Sequence, residues 1–136
     1  MDTAVKRAYI EVRLAKARDD LLTAQDDLEH GHWRGATNHA YYAVFHVASA
    51  ALLWIDIERA RHSGTQAAFI EFLVRPGKIE PEFVQIYTRA RKAREEQDYD
   101  LMAAPLTRED AARIVSDAER FLARIERYLQ ETGARP

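Results

Sequence analysis

The chain has no cysteine at all. That excludes a disulfide framework and a thiolate zinc site, and nothing in the composition opposes a reducing, cytoplasmic location. Long apolar runs are missing too. The longest, Ala40 to Ile55, is interrupted by His46 and falls short of the roughly 20 residues that span a bilayer, so it reads as a core helix and no membrane association is expected. The opening MDTAVKRAYIEVRLAKARDD mixes charges through every turn, unlike the continuous apolar stretch of a signal peptide. Nor is either sign of charge in excess: Lys and Arg number 20 against 22 Asp and Glu, for a net charge of -2. No global field recruits nucleic acid, and any contact with RNA has to be local. Strand-like alternation, internal repeats and low-complexity segments are also absent.

What remains is helical periodicity. From Asp2 to about Glu29, the residues Ala4, Ala8, Val12, Ala15, Leu22 and Leu28 recur among charges at helical spacing, which predicts an amphipathic first helix. Gly31 suits its C-terminal cap. A second helix, apolar on most sides as a central helix should be, is expected from Trp33 to about Arg59. RARHSG is a connector, TQAAFIEFLV resumes the helical pattern, and Pro76 with Gly77 ends it. Pro81 fits the first turn of the next helix, which runs to the AREEQDYD region. Thr107 and Asp110 form a capping-box pattern for a last helix carrying Ala111, Ile114, Val115, Ala118, Leu122, Ile125 and Leu129. Residues 1–136 are therefore expected to form a single domain, an all-α antiparallel bundle of four to five helices joined by short connections.

The second helix is unusual in what its apolar sequence retains. In NHAYYAVFHVASAALL, the residues Gly35, His39, Tyr42, His46, Ser49 and Leu53 fall along one stripe at spacings of three and four. Two readings stand. The stripe is a helix-to-helix seam in which each imidazole is hydrogen-bonded, or it lines a site in the bundle interior. A metal centre is not expected, because His39 and His46 are separated by about 10.5 Å of helical rise, and no carboxylate accompanies them at ligand spacing on the same face. No other cofactor is indicated.

Taken together, HAYYAVFHVASAALL, RHSGTQAAFIEFLVRPGKIEPEF, AREEQDYD and DAERFLARIERYL resemble the successive landmarks of the HEPN superfamily, small four- to five-helix proteins of prokaryotes. The likeness extends from about Leu21 to Leu129. Its most specific pieces are Tyr41-Tyr42 followed by Phe45-His46, the His62-Ser63-Gly64 connector, and Arg94 leading to Asp98-Tyr99. The resemblance implies a homodimer, and a setting of the toxin-antitoxin type beside a minimal nucleotidyltransferase partner. Toxic members cut RNA without metal through an arginine followed, after four to six residues, by a histidine. Such cleavage needs a base for the ribose 2'-hydroxyl and a cation for the phosphorane. Where the related subgroup commonly has an arginine before the tyrosine pair, this chain has His39, and where the toxin motif wants histidine it has Asp98. Arg34 and His39 also match the toxin spacing, but on the second helix rather than at the later junction.

The residues expected to contact a ligand are thus His39, Tyr42, His46, Arg91, Arg94, Asp98 and Tyr99, with His46, Arg94 and Asp98 the candidates for catalysis. Arg94 and Asp98 read equally well as a surface pair four residues apart. The run RARKAR could hold a phosphate between helices through Arg89, Arg91, Lys92 and Arg94, or serve as a solvated face. His62 is expected to brace the connector. These features predict a module that binds nucleotide, RNA or a nucleotidyltransferase and lacks efficient nuclease activity. The alternatives are a metal-independent endoribonuclease toxin and a structural adaptor.

Overall fold

The computed structural model describes all 136 residues. Five helices follow one another with no strand: α1 Thr3–Glu29, α2 Trp33–Trp54, α3 His62–Phe69, α4 Glu82–Tyr99 and α5 Arg108–Glu131. The last turn after α3, Ile70–Val74, is a π-helical segment. None of the helices is long and apolar enough to cross a membrane.

Helix α2 is the central element and packs against the other four. Its composition explains why, since twelve of its residues, from Ala36 to Leu53, are buried around the helix. Helix α1 lies antiparallel to it, held by contacts from every seventh residue of α1. Lys6 Nζ donates to the Trp54 carbonyl (3.1 Å) and Arg13 Nη1 to the Ser49 carbonyl (3.1 Å). Further along, Asp20 faces His46 and Asp27 faces His39. On the other flank of α1, Arg18 pairs with Glu126 and Gln25 bonds Glu119, so α5 is antiparallel to α1 as well.

Between these two polar flanks the core stripe of α1 is Ile10, Leu14, Ala17 and Ala24, all fully buried. The expected stripe is corrected here: Ala4, Ala8, Val12, Ala15 and Leu22 are exposed. The helix carries two apolar faces on opposite sides, and the one with Ile10 and Leu14 faces α2 and α5.

Gly31, at φ 78°, closes α1. The Gly31 amide reaches the Leu28 carbonyl and the His32 amide the Asp27 carbonyl, the paired bonds of a Schellman motif. Helix α2 stops at Trp54 rather than near Arg59. Asp56 takes φ 63° there, and Lys6 holds both the Trp54 carbonyl and the Asp56 carboxylate (2.9 Å). Helix α3 begins at His62, three residues before the expected Thr65. The last helix follows expectation: Thr107 and Asp110 complete a capping box, and the seven predicted apolar positions are buried together with Phe121 and Tyr128.

Candidate functional site

Adjacent positions on α2 point to different neighbours. Tyr41 is buried, and burial pushes its phenol up to about 12. Its hydroxyl meets Nδ1 of His62, the first residue of α3, at 3.0 Å. Tyr42 leans toward α4, where its hydroxyl accepts from Arg94 Nη2 at 3.1 Å. The Arg94 guanidinium stands 5.1 Å from the centre of the Tyr41 ring and 5.2 Å from that of Tyr42, within cation–π range of both. A guanidinium has five N–H donors. Tyr42 takes one, Asp98 sits at ion-pair distance from Nε (3.7 Å), and none of the Arg94 nitrogens is among the buried unsatisfied atoms. Arg94 therefore keeps donors open to solvent on a side chain that rests against two rings meeting edge to face.

Asp98 also accepts from Arg34 Nη2 at 3.1 Å. Two guanidinia share one carboxylate, which leaves a net positive charge at the junction of α2 and α4. His62 extends the cluster. Its ring stacks on Phe45 with centroids 4.0 Å apart, and desolvation, followed by the charge of Arg94, lowers its pKa. An imidazole so placed is neutral near pH 7. If Tyr41 accepts from Nδ1–H, the His62 Nε2 is free to act as a base; in the other tautomer it is a donor.

Of the expected residues, Tyr42, Arg94 and Asp98 are brought together, and His46 stacks on Tyr42 with centroids 6.2 Å apart. His46 also turns toward α1, where its Nε2 lies 3.6 Å from the Asp20 carboxylate. Burial lowers the His46 pKa and raises that of Asp20, each against the attraction of the other. His39 is not part of the cluster. Its Nδ1 lies 2.9 Å from the Gly35 carbonyl and 3.1 Å from Asp27, so it ties α2 to α1. Gly35 allows that approach, since a Cβ there would meet Asp27 Oδ2 at 2.6 Å.

The RARKAR cations separate around α4. Arg91 bonds Gln66 (2.8 Å) and Glu95, and lines a groove of about 410 Å³ between α3 and α4. Arg89 pairs with Asp117 on α5 and, with Lys92, lines a different groove. At 100° per residue these four positions spread around the whole helix, so their side chains cannot converge on one phosphate. Tyr99, at the end of α4, is exposed and stands beside Glu95, Glu96 and Asp100. Sequence reasoning missed the joining of His62 to Tyr41 and Arg94, and the Arg34–Asp98 pair. Both link separate elements, so no spacing along one helix could signal them.

The molecule is thus a five-helix bundle with an arginine–tyrosine–histidine cluster where α2, α3 and α4 meet. Residues 10–128 match the HEPN domain, and the chain belongs to that family. It is 33% identical over 125 residues to a protein of Methanocaldococcus jannaschii named "Putative toxin MJ0605", covering 92% of each chain. It is 32% identical over 126 residues to a UPF0332 protein of Thermotoga maritima, covering 93% of this chain and 95% of that one. Among solved structures, TT1696 from Thermus thermophilus shares the fold with a TM-score of 0.76 at 22% identity, over 88% of this chain and 98% of the other.

Proposed function

We propose that this HEPN domain binds the phosphate of a nucleotide or RNA through Arg94, as a cytoplasmic module of a toxin-antitoxin-type system with a minimal nucleotidyltransferase as its partner. One observation carries the reading: a guanidinium held against two adjacent tyrosine rings, with donors unspent and a net positive charge around it. Arginine recognises phosphate through paired N–H donors, and fixing it beforehand lowers the entropic cost of binding. Relatives with toxin names support the setting. The test is fluorescence anisotropy with a labelled single-stranded RNA, using a mononucleotide as competitor. Arg94→Ala should weaken binding of both at least about tenfold, the loss of one charge-assisted contact, while the chain keeps its helical circular dichroism spectrum. If neither ligand binds while a nucleotidyltransferase is still captured, the protein is an adaptor.

A second reading, the metal-independent endoribonuclease, is favoured by the nearness of His62 to Arg94. The imidazole has the protonation state of a base and the guanidinium the charge needed for a phosphorane. Cleavage of single-stranded RNA in EDTA, lost in both His62→Ala and Arg94→Ala, would establish it over the binding module.

A further inference from the structure

Helices α3 and α4 face each other across a groove of about 410 Å³, a volume in the roughly 300–1,000 Å³ range of small-molecule sites. Gln66 of α3 bonds Thr88 and Arg91 of α4. One turn before Gln66, His62 meets Tyr41, and one turn after Arg91, Arg94 does the same. The two helices are therefore antiparallel, and the end of the groove lined by Ser63 and Glu95 adjoins the Arg94 cluster. Gln66 is only 8% exposed, and both ends of its amide are used. Nε2 donates to Thr88 Oγ1 at 3.1 Å, and Oε1 accepts from Arg91 Nε at 2.8 Å. Because Arg91 Nε can only donate, the orientation of the amide is settled. A buried amide costs free energy that a leucine in the same seam would not; here it fixes the aim of Arg91. Arg91 Nη1 reaches both Glu95 oxygens (3.1 and 3.3 Å). Its Nη2 has no protein partner and is not among the buried unsatisfied atoms, and the Glu95 carboxylate keeps lone pairs that Arg91 does not use. Across from this pair lie Ala67 and Ile70. The groove thus sets a fixed donor and a carboxylate side by side against an apolar wall.

We infer, resting on Arg94 as the phosphate contact, that this groove takes the base of the same nucleotide and selects guanine. Arg91 and Arg94 lie only about 4.5 Å apart along α4, so one edge of that helix can hold base and phosphate at once. Ala67 and Ile70 cover a face of the ring. Hydrogen bonding at the base edge makes the choice. Guanine presents two neighbouring N–H donors, at N1 and the 2-amino group, beside the O6 acceptor. The Glu95 carboxylate takes both donors and the Arg91 guanidinium takes the oxygen. Adenine and cytosine set a ring-nitrogen acceptor next to their single amino group, and uracil flanks its one N–H with two carbonyl oxygens, so each leaves the carboxylate half used. The guanine belongs to a free nucleotide or to single-stranded RNA, whose unstacked bases expose the same edge.

Isothermal titration calorimetry with nucleoside monophosphates separates base from phosphate. GMP should bind about tenfold more tightly than inosine monophosphate, which lacks only the 2-amino group and so loses one hydrogen bond to a charged acceptor. AMP should be weaker still. Glu95→Gln, an isosteric change at a half-exposed side chain, should bring the ratio of GMP to AMP affinity to about one; the ratio cancels any effect of the lost charge on the phosphate. Arg94→Ala should weaken GMP and AMP by the same factor and leave free guanosine untouched. Competition between GMP and a single strand carrying one guanine tells which source the groove prefers. Nucleotides bound through Arg94 with no preference among bases, or a preference that survives Glu95→Gln, would overturn the guanine subsite and keep the phosphate contact. Guanosine bound through Glu95, with GMP no tighter and indifferent to Arg94→Ala, would keep the subsite and overturn the phosphate contact. If neither guanosine nor GMP binds, the subsite is overturned, and the RNA titration judges Arg94 by itself.

Discussion

Asp98 occupies the position where the resemblance asks for a histidine, and its surroundings set its role. With Arg94 at 3.7 Å and Arg34 at 3.1 Å, its carboxylate is an internal counter-ion to the two guanidinia a phosphate would need. Asp98→Asn should therefore raise affinity for RNA and mononucleotide, by removing a competing anion. A loss of affinity in the anisotropy titration would show that Asp98 organises the site instead. The histidines make a separate prediction. His46 and His62 both have pKa values lowered mainly by burial, so below about pH 6.5 the unfolded chain binds protons that the folded one refuses. Stability is fully present above that pH and is lost as pH falls toward the lowered values. Urea midpoints should drop between about pH 7.5 and about pH 5.5, and the drop should be smaller in His46→Gln. An equal drop in that variant would assign the effect to other groups. The sequence placed His39 and His46 on one stripe and singled out His46 through the resemblance, but it could not show what either imidazole touches. In space His46 joins the tyrosines, while His39 spends its Nδ1 on α1 and Gly35.

At the scale of elements, α5 was the most readable and α1 the least, for one reason. Helix α5 has a single apolar stripe and a local cap, so its pattern has one solution. Leu122→Ala or Ile125→Ala should cost about 2–5 kcal/mol, as truncations of buried aliphatics do, because both side chains are buried in the core. Thr107→Ala should cost about 1 kcal/mol through loss of the capping box. Unchanged urea midpoints would show that α5 is not anchored as described. Helix α1 has two apolar faces, and the pattern alone does not say which one meets the bundle. Packing decided in favour of Ile10 and Leu14, leaving the alanine-rich face outside. The end of α2 was lost for another reason. Ile55 and Ile57 continue its apolar pattern, but Lys6, from the far end of α1, holds Trp54 and Asp56 in a turn.

Across the whole molecule, the bundle could be read from sequence because helices announce themselves locally and short loops force antiparallel neighbours. The site could be read only in part: the family resemblance pointed to Tyr42, Arg94 and Asp98, but their junction with Tyr41 and with His62 of α3 joins separate elements that no periodicity along one helix relates. That distribution also limits how the molecule can meet a polyanion. Most of its arginines are held in ion pairs, including Arg18 with Glu126, Arg89 with Asp117, Arg120 with Glu82 and Arg124 with Glu80. The net charge of -2 offers no long-range pull. If phosphates are engaged chiefly at Arg94 and Arg34, whose shared Asp98 leaves one positive charge over, few counterions are released. Each phosphate of a single strand so neutralised contributes about -0.7 to the slope of log K against log salt. RNA binding should then have a shallow slope of roughly -0.7 to -1.4, and Arg94→Ala should reduce it by about 0.7. Titrations in a series of salt concentrations measure both values. A slope steeper than about -3 in wild type, unchanged by Arg94→Ala, would mean that a broad basic surface holds the RNA and that the Arg94 guanidinium is not its anchor.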